Sequence, residues 1–422
     1  MNFLNNFLKG ANKKEVISWA FFDFANSSYS TLIISLAFPI YFKDVIASGP
    51  ASDFYWGLVI SLSIFIGGVA SPFIGAMTDY DGKKKKRFIL FTLLSIIGTA
   101  LLYFTGKNQV IFASFIFILA NIFFELAITL YNSFLSDISS KETVGRISGL
   151  GWGLGYLGGI IAMLILYPFY KELGPSYKLT FPLTALFFLI FSIPSVVFIR
   201  KDKYIKKSVP LKLILKKSSS NVLSVFRKIK HYKNIAWFLV GFYFINDVLV
   251  TLFAFIPIYA KTTLNFTIKE IFIIFLIIQI IALPGTIFFG WLSDRKSPKK
   301  ILLFCTLMWC FIIVIISVAN SKSLFYIAAI LAGLFVGSIQ SVARSWFSGI
   351  IPKNRETEFF GFSGLMSKVS ATTGPLIFGI VSSITGNQRF AMIALLPFFI
   401  ISFFIFLKVK EKSLVEYVPK HR

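Results

Sequence analysis

The sequence predicts an all-α membrane protein: twelve transmembrane helices in two pseudo-symmetric six-helix bundles. Three observations predict it. A dozen apolar stretches, each near 20 residues, fill the chain from Ile17 to Leu407, and a helix needs ~20 apolar residues to cross a bilayer. Hydrophobic residues make up 56% and charged residues 14% of the chain, against about 25% charged in a soluble domain. Short patterns also recur between the two halves at a fixed offset, the mark of a duplicated unit. In lipid every backbone donor and acceptor needs an internal partner, so the stretches are helices. Twelve helices with an internal repeat point to a secondary transporter.

Span 1 (17–42) follows Lys9, Lys13 and Lys14 and carries Asp23, Asn26, Ser27, Ser28, Tyr29 and Ser30. Such polar content makes it a span rather than the short apolar core of a cleavable leader. Span 2 (54–79) ends on Gly75-x-x-x-Asp79, and Gly82 with the basic run from Lys83 to Arg87 separates it from span 3 (88–105). Span 4 (110–136) holds Asn121, Glu125, Thr129 and Asn132, a spacing that places them in one polar stripe. Span 5 (145–168) carries Gly151, Gly155 and Gly159 on one face, where a second helix can approach closely. Span 6 (180–199) completes an N-terminal unit, 1–199. Residues 200–234 form a linker: from Arg200 to Lys233 there are twelve Lys or Arg and one acid, with Pro210 and Ser218-Ser219-Ser220. A C-terminal unit, 235–422, holds spans 235–260, 268–292, 301–319, 323–350, 358–385 and 389–408. Gly75-x-x-x-Asp79 returns as Gly290-x-x-x-Asp294, and Ser148-Gly149-Leu150 as Ser363-Gly364-Leu365, both 215 residues later. Phe24-x-Asn26 with Phe38-Pro39-Ile40-Tyr41-x-Lys43 is echoed by Phe244-x-Asn246 with Ile256-Pro257-Ile258-Tyr259-x-Lys261.

The formal charge of +25 suits nucleic acid, but its distribution excludes that reading. Of 43 Lys and Arg, 33 fall in the termini and the alternate loops that share one side, eight on the other side, and two, Arg344 and Lys368, inside spans. This asymmetry places both termini and the linker in the cytoplasm of a multi-pass protein of the inner membrane. Contact with anionic lipid headgroups at that face follows, and a monomer is expected. Cys305 and Cys310 lie five apart in one span, read as small packing residues. His231 and His421 build no metal site. No cofactor is expected, and no phosphate loop or nucleophile constellation suggests an enzyme.

Gly75-Ala76-Met77-Thr78-Asp79-Tyr80-Asp81-Gly82-Lys83-Lys84 resembles the loop between spans 2 and 3 of the major facilitator superfamily, with Tyr80 where an Arg is usual. Its physical logic is a gate: Gly75 for close helix approach, Asp79 for a partner it holds in one state only, Gly82 for the turn, Lys83 at the headgroups. The second copy has Gly290, Asp294 and Arg295, with Pro298 near the expected Gly. Three longer stretches sharpen the resemblance. They are Trp19 to Ser27 running on to Phe42, Ser148 to Gly159, and Gly337 to Ser345 continuing through Pro352, Phe360 and Lys368 to Gly374-Pro375. Together they are similar to the vacuole-effluxer-like branch of that superfamily, which includes fungal autophagy-related amino-acid effluxers. The resemblance implies the twelve-span fold, solute export, and a central cavity lined by spans 1, 4, 7 and 10.

Ionisable residues inside a membrane are expensive and usually face a cavity or a partner. The candidates for substrate binding or proton coupling are Asp23, Asn26, Asn121, Glu125, Asn246, Asp247, Gln340, Arg344 and Lys368. Arg344 suits a carboxylate; Glu125 suits an ammonium group or a proton. Lys368 either binds substrate or pairs Asp247. The function expected is a secondary active transporter of a small polar or zwitterionic, amino-acid-like solute, with export implied by the resemblance. The alternatives are a lysophospholipid or lipid-precursor flippase, and a transport-dead sensor or scaffold signalling through the linker. Structural pairing between helices competes with each of these roles.

Overall fold

A computed structural model describes residues 12–139, 144–199, 202, 232–351 and 356–411. Almost all of the linker and the last eleven residues lie outside the described residues. Among the described residues twelve helices are long and apolar enough to cross a membrane. In chain order they are α1 (Lys13–Ile46), α2 (Ser52–Asp81), α3 (Lys84–Leu101), α4 (Val110–Ile138), α5 (Val144–Tyr170) and α6 (Thr180–Phe198). The second half has α7 (Lys233–Leu264), α8 (Ile268–Arg295), α9 (Pro298–Val318) and α10 (Lys322–Ile350). It ends with α11 (Glu356–Ser370 and Thr373–Thr385) and α12 (Gln388–Ile393 and Leu396–Lys408).

Local chemistry sets the ends and the irregularities. Asn12 accepts from the backbone N–H of Lys14 and Glu15 at the start of α1, and Thr267 with Glu270 makes a reciprocal cap at the start of α8, each supplying partners for orphan donors. Gly82 ends α2 at φ +68°, and its N–H reaches the Thr78 carbonyl; this left-handed turn suits glycine. Within α1, Tyr29–Leu36 and Phe42–Ile46 are π-helical. Pro39, which can neither donate nor sit against the carbonyl four residues back, lies between them. The interruptions of α11 and α12 share that cause. Pro375 opposes the Ala371 carbonyl and Pro397 that of Ile393, and the helices break at 371–372 and 394–395. Span 11 was expected to run unbroken over 358–385; the Pro375 ring divides it.

Within the first bundle α1 packs on α5 and α6, and α4 on α2 and α3; in the second, α8 packs on α10 and α7 on α12. The glycine face of α5 is spent on α1: a Cβ at Gly155 would stand 3.1 Å from Ser27 Oγ, and one at Gly159 2.9 Å from Thr31 Oγ1. The second half repeats this contact, since a Cβ at Gly374 would stand 2.2 Å from Thr251 Oγ1. The duplication inferred from sequence is therefore a duplication of helix contacts.

The bundles meet along α2 and α11, α5 and α8, and α1 and α7, most tightly at the end opposite the termini. There buried Asp53 accepts from Lys43 Nζ (2.6 Å), Ser382 Oγ (2.5 Å) and Gln388 Nε2 (2.7 Å), tying α1 and α2 to α11 and α12. Lys261 pairs with Asp44, and Trp56 Nε1 donates to the Ala254 carbonyl at 3.0 Å. Lys43 and Lys261, equivalent in the repeat, thus both hold acids of the first half. Toward the termini end a Cβ at Gly75, Gly149, Gly153, Gly349 or Gly364 would meet nothing within 4 Å, and Arg344 of α10 reaches Ser148 of α5 across the halves. For Gly75 this corrects the expected close approach, because no helix of the other half lies against it in this conformation. Asp53→Ala should loosen the closed end. A hydrogen bond to a charged group is worth about 1.5–3 kcal/mol, so the open population there should rise roughly tenfold or more. Labelling of a cysteine placed at buried Ser52, in a chain with Cys305→Ala and Cys310→Ala, would measure it; unchanged protection would remove Asp53 from the gate.

Candidate functional site

The polar stripe of α4 faces α2 and α11, and there the two halves are tied near mid-helix. Lys368, in the last turn before the α11 break, lies 3.1 Å from Glu125 Oε2. Its ammonium also donates to the Glu125 carbonyl at 2.9 Å, to Thr129 Oγ1 at 2.5 Å and to Ser71 Oγ at 3.1 Å. Ser71 and Thr129 are 3.0 Å apart. The hub is close because α2 is small there: a Cβ at Gly67 would reach Glu125 Cβ at 2.9 Å, and one at Gly68 would reach Lys368 Cβ at 3.1 Å. Both charged side chains keep just under a fifth of their surface exposed. Lys368 pairs with Glu125 and not with Asp247, because Asp247 is taken by the backbone beyond the break. Ser71, Gly67 and Gly68 were missed from sequence; their signal is a small polar face on span 2 at helical spacing.

Arg344 lies on α10, exposed, and leans onto α5 of the other half. Its Nη1 donates to Ser148 Oγ at 3.3 Å, and its guanidinium lies 5.9 Å from the centre of the Trp152 ring. Asp23 on α1 supplies the opposing charge that acts on it. One Asp23 oxygen accepts from Asn26 Nδ2 at 3.2 Å, and the other lies where a Cβ at Gly151 would intrude at 2.6 Å. Gln340, on the same helix as Arg344, is partly exposed. Asp23, Glu125, Arg344 and Lys368 thus place two acids of the first half opposite two bases of the second.

The remaining candidates hold helices together. Asn121 is buried, donating to Ser63 Oγ at 2.8 Å and accepting from the Tyr29 hydroxyl at 3.4 Å. Asn246 Nδ2 donates to the Ser367 carbonyl (2.8 Å) and Ser370 Oγ (2.9 Å), and Asp247 Oδ1 accepts from the Gly374 N–H at 2.8 Å. Among the gating candidates, the side chains of Asp79 and Asp294 lie outside the described residues. A Cβ at Gly290 would meet Ser341 Oγ at 3.3 Å, and Arg295 stacks over Trp291 at 4.2 Å. Lys83 donates its N–H to Asp81 Oδ1 at 3.1 Å. Sequence reading passed over Asp81, which takes both nitrogens of Arg87, at 2.7 and 2.5 Å. Partial burial acts to raise this carboxyl, but the Arg87 guanidinium, the Lys83 N–H and their charges outweigh it and hold it below the usual carboxylate range. The clamp is therefore fully present above that range and is lost as the pH falls through the depressed value.

Comparison with known proteins places this geometry. Residues 51–416 match the profile described as vacuole effluxer Atg22 like. The chain is 28% identical to the uncharacterized MFS-type transporter YxiO of Bacillus subtilis, over 95% of this chain and 96% of that one. It is 24% identical to autophagy-related protein 22 of Vanderwaltozyma polyspora, over 80% and 74%. Among solved structures, the nucleoside transporter NupG superposes with a TM-score of 0.69 at 14% identity, covering 93% of this chain and 98% of that one. A bacterial homologue of the human lysosomal transporter Spinster, inward-facing and unoccupied, also gives 0.69, at 13% identity and 99% and 98% coverage. At such identities the two structures establish the fold alone, that of major facilitator transporters.

Proposed function

We propose that this chain, which belongs to the vacuole effluxer Atg22-like family of membrane transporters, is a secondary active exporter of a small zwitterionic, amino-acid-like solute, driven by proton coupling. The observation that carries the reading is the Glu125–Lys368 pair joining the two halves at 3.1 Å. A zwitterion offers both pair members a substitute: its ammonium for Glu125, its carboxylate for Lys368 or Arg344. Binding then replaces a direct tie between the bundles with one through the solute, and the bundles can rock about it. A ligand shifts the equilibrium by its differential affinity for the two states.

The excess of Lys and Arg on the termini side supports cytoplasmic termini in the inner membrane, with anionic headgroups along that face. The end tied through Asp53 then faces away from the cytoplasm, as an exporter requires while it loads. Gly82, Lys83 and Asp79, with Gly290, Asp294 and Arg295 in the second copy, sit at the cytoplasmic end as the gate, and the unit is a monomer. Reporter fusions after Lys230 and at the C-terminus test the orientation: a reporter active only outside the cytoplasm should stay silent at both, and activity at either overturns it.

A thermal-shift screen of the purified protein against amino acids, peptides and phospholipid headgroups tests the solute class, because a ligand stabilises the state it binds. Amino acids should raise the melting temperature. The lipid-flippase alternative rests on one observation, an apolar cleft between α7, α8, α9 and α10, lined by Phe253, Phe275 and Phe325 among others. A shift with lysophospholipid and none with amino acids would favour it.

A further inference from the structure

We propose that Asp247 and the interrupted α11 form the site of the coupling proton, separate from the solute's charge pair. This rests on the transporter reading above. Asp247 has no exposed surface. Its Oδ1 accepts from the Gly374 N–H in the first turn of the 13-residue helix Thr373–Thr385. Its Oδ2 is buried and has no hydrogen-bond partner. An ionised carboxylate with an unsatisfied oxygen in a membrane interior is costly, whereas a carboxylic acid there is tolerated. A proton on Oδ2 removes the charge and leaves only the smaller cost of a neutral polar group.

Among the described residues no ionised side chain pairs with Asp247; what acts on it is the backbone N–H of Thr373 and Gly374 at the helix start. Tyr243, one turn earlier on α7, spends its hydroxyl on Thr373 Oγ1 at 3.0 Å. Lys368 on α11 is engaged with Glu125, Ser71 and Thr129. On α1, Asp23 accepts from Asn26 and Tyr29 reaches Asn121; on α10, Arg344 reaches Ser148. On α12, Lys408 lies over Trp237 near the termini end, and Arg389 donates to the Ser317 and Ala319 carbonyls. None of these is within ion-pair or hydrogen-bond distance of Asp247 among the described contacts.

The break gives the proton something to control. Asn246 holds the piece of α11 before the break and Asp247 the piece after it, so one turn of α7 grips both sides. That second piece carries Ser382, a partner of Asp53 in the closed end. A protonated Asp247 keeps α7 and α11 packed and that end shut. When α11 moves and water reaches Oδ2, the proton leaves for that water and the ionised group stays hydrated. The same oxygen binds and releases one proton per cycle, so charge balances.

Spin labels at Ser48→Cys and Asn320→Cys, with Cys305→Ala and Cys310→Ala, report the width of the closed end in nanodiscs by electron–electron double resonance. The parent should shift from short to long distances as the pH rises. Asp247→Asn, permanently neutral, should stay short at every pH, and Glu125→Gln should retain the shift. A parent-like titration in Asp247→Asn would overturn the proposal. Infrared spectroscopy gives a second readout on the wild-type chain at neutral pH: a protonated carboxylic C=O band, moved by Asp247→Glu. Absence of that band would overturn the proposal without reliance on any variant's folding. Neither readout needs a transported solute, so failure here leaves the exporter reading standing, while failed solute exchange leaves these readouts intact.

Discussion

Lys368→Met is expected to abolish solute exchange in proteoliposomes and to lower thermal stability at once. The ammonium meets Glu125, Thr129 and Ser71 from the opposite half, so its removal leaves Glu125 as an uncompensated charge between helices. Breaking one partner of such a pair costs about 3–5 kcal/mol when fully buried; residual access to solvent places this one at or below the lower figure. Glu125→Gln added to Lys368→Met should restore most of the melting temperature, since a neutral amide beside an apolar chain leaves no stranded charge. It should not restore exchange. Recovery of both together would make the pair a structural tie, and recovery of neither would show that the damage lies elsewhere.

Arg344→Lys should weaken solute binding about tenfold or more, which corresponds to about 1.4 kcal/mol. An ammonium is a point charge and cannot reproduce the planar fork that takes a carboxylate through two bonds. Because Arg344 is exposed and makes one long hydrogen bond to Ser148, the folded protein should tolerate the change, with a melting temperature close to wild type. Binding followed by isothermal calorimetry or by the ligand-induced thermal shift checks it. Full affinity in Arg344→Lys would remove the guanidinium from the site.

Much of this was legible in the sequence because the bilayer imposes a simple length and polarity rule. Twelve spans, the duplication and the membership in the effluxer family follow from runs of apolar residues and from motifs near Asp79, Gly151 and Arg344. The polar stripe of α4 was also legible, since Asn121, Glu125 and Thr129 share a helix face. What that stripe does was not, because partners are set by the other helices. Asn121 turns to Ser63 within its own bundle, whereas Glu125 meets Lys368 of the other. For Lys368, on a span 11 read as continuous, the sequence leaves two roles open, binding substrate or pairing Asp247 of span 7. Pro375 breaks span 11 and hands Asp247 the Gly374 N–H instead. The signal was present in Gly374-Pro375, but it was weighed as a transport motif and not as a chain break. Gly75 shows the other limit: glycine permits close helix approach, and the arrangement of the other helices decides whether it is used.

Counterflow in proteoliposomes tests the central claim most directly. Vesicles loaded with unlabelled neutral amino acids and carrying the wild-type chain should accumulate labelled amino acid from outside, and vesicles carrying Lys368→Met should not. Wild-type vesicles that exchange no amino acid, or Lys368→Met vesicles that exchange as fast as wild type, would contradict the account.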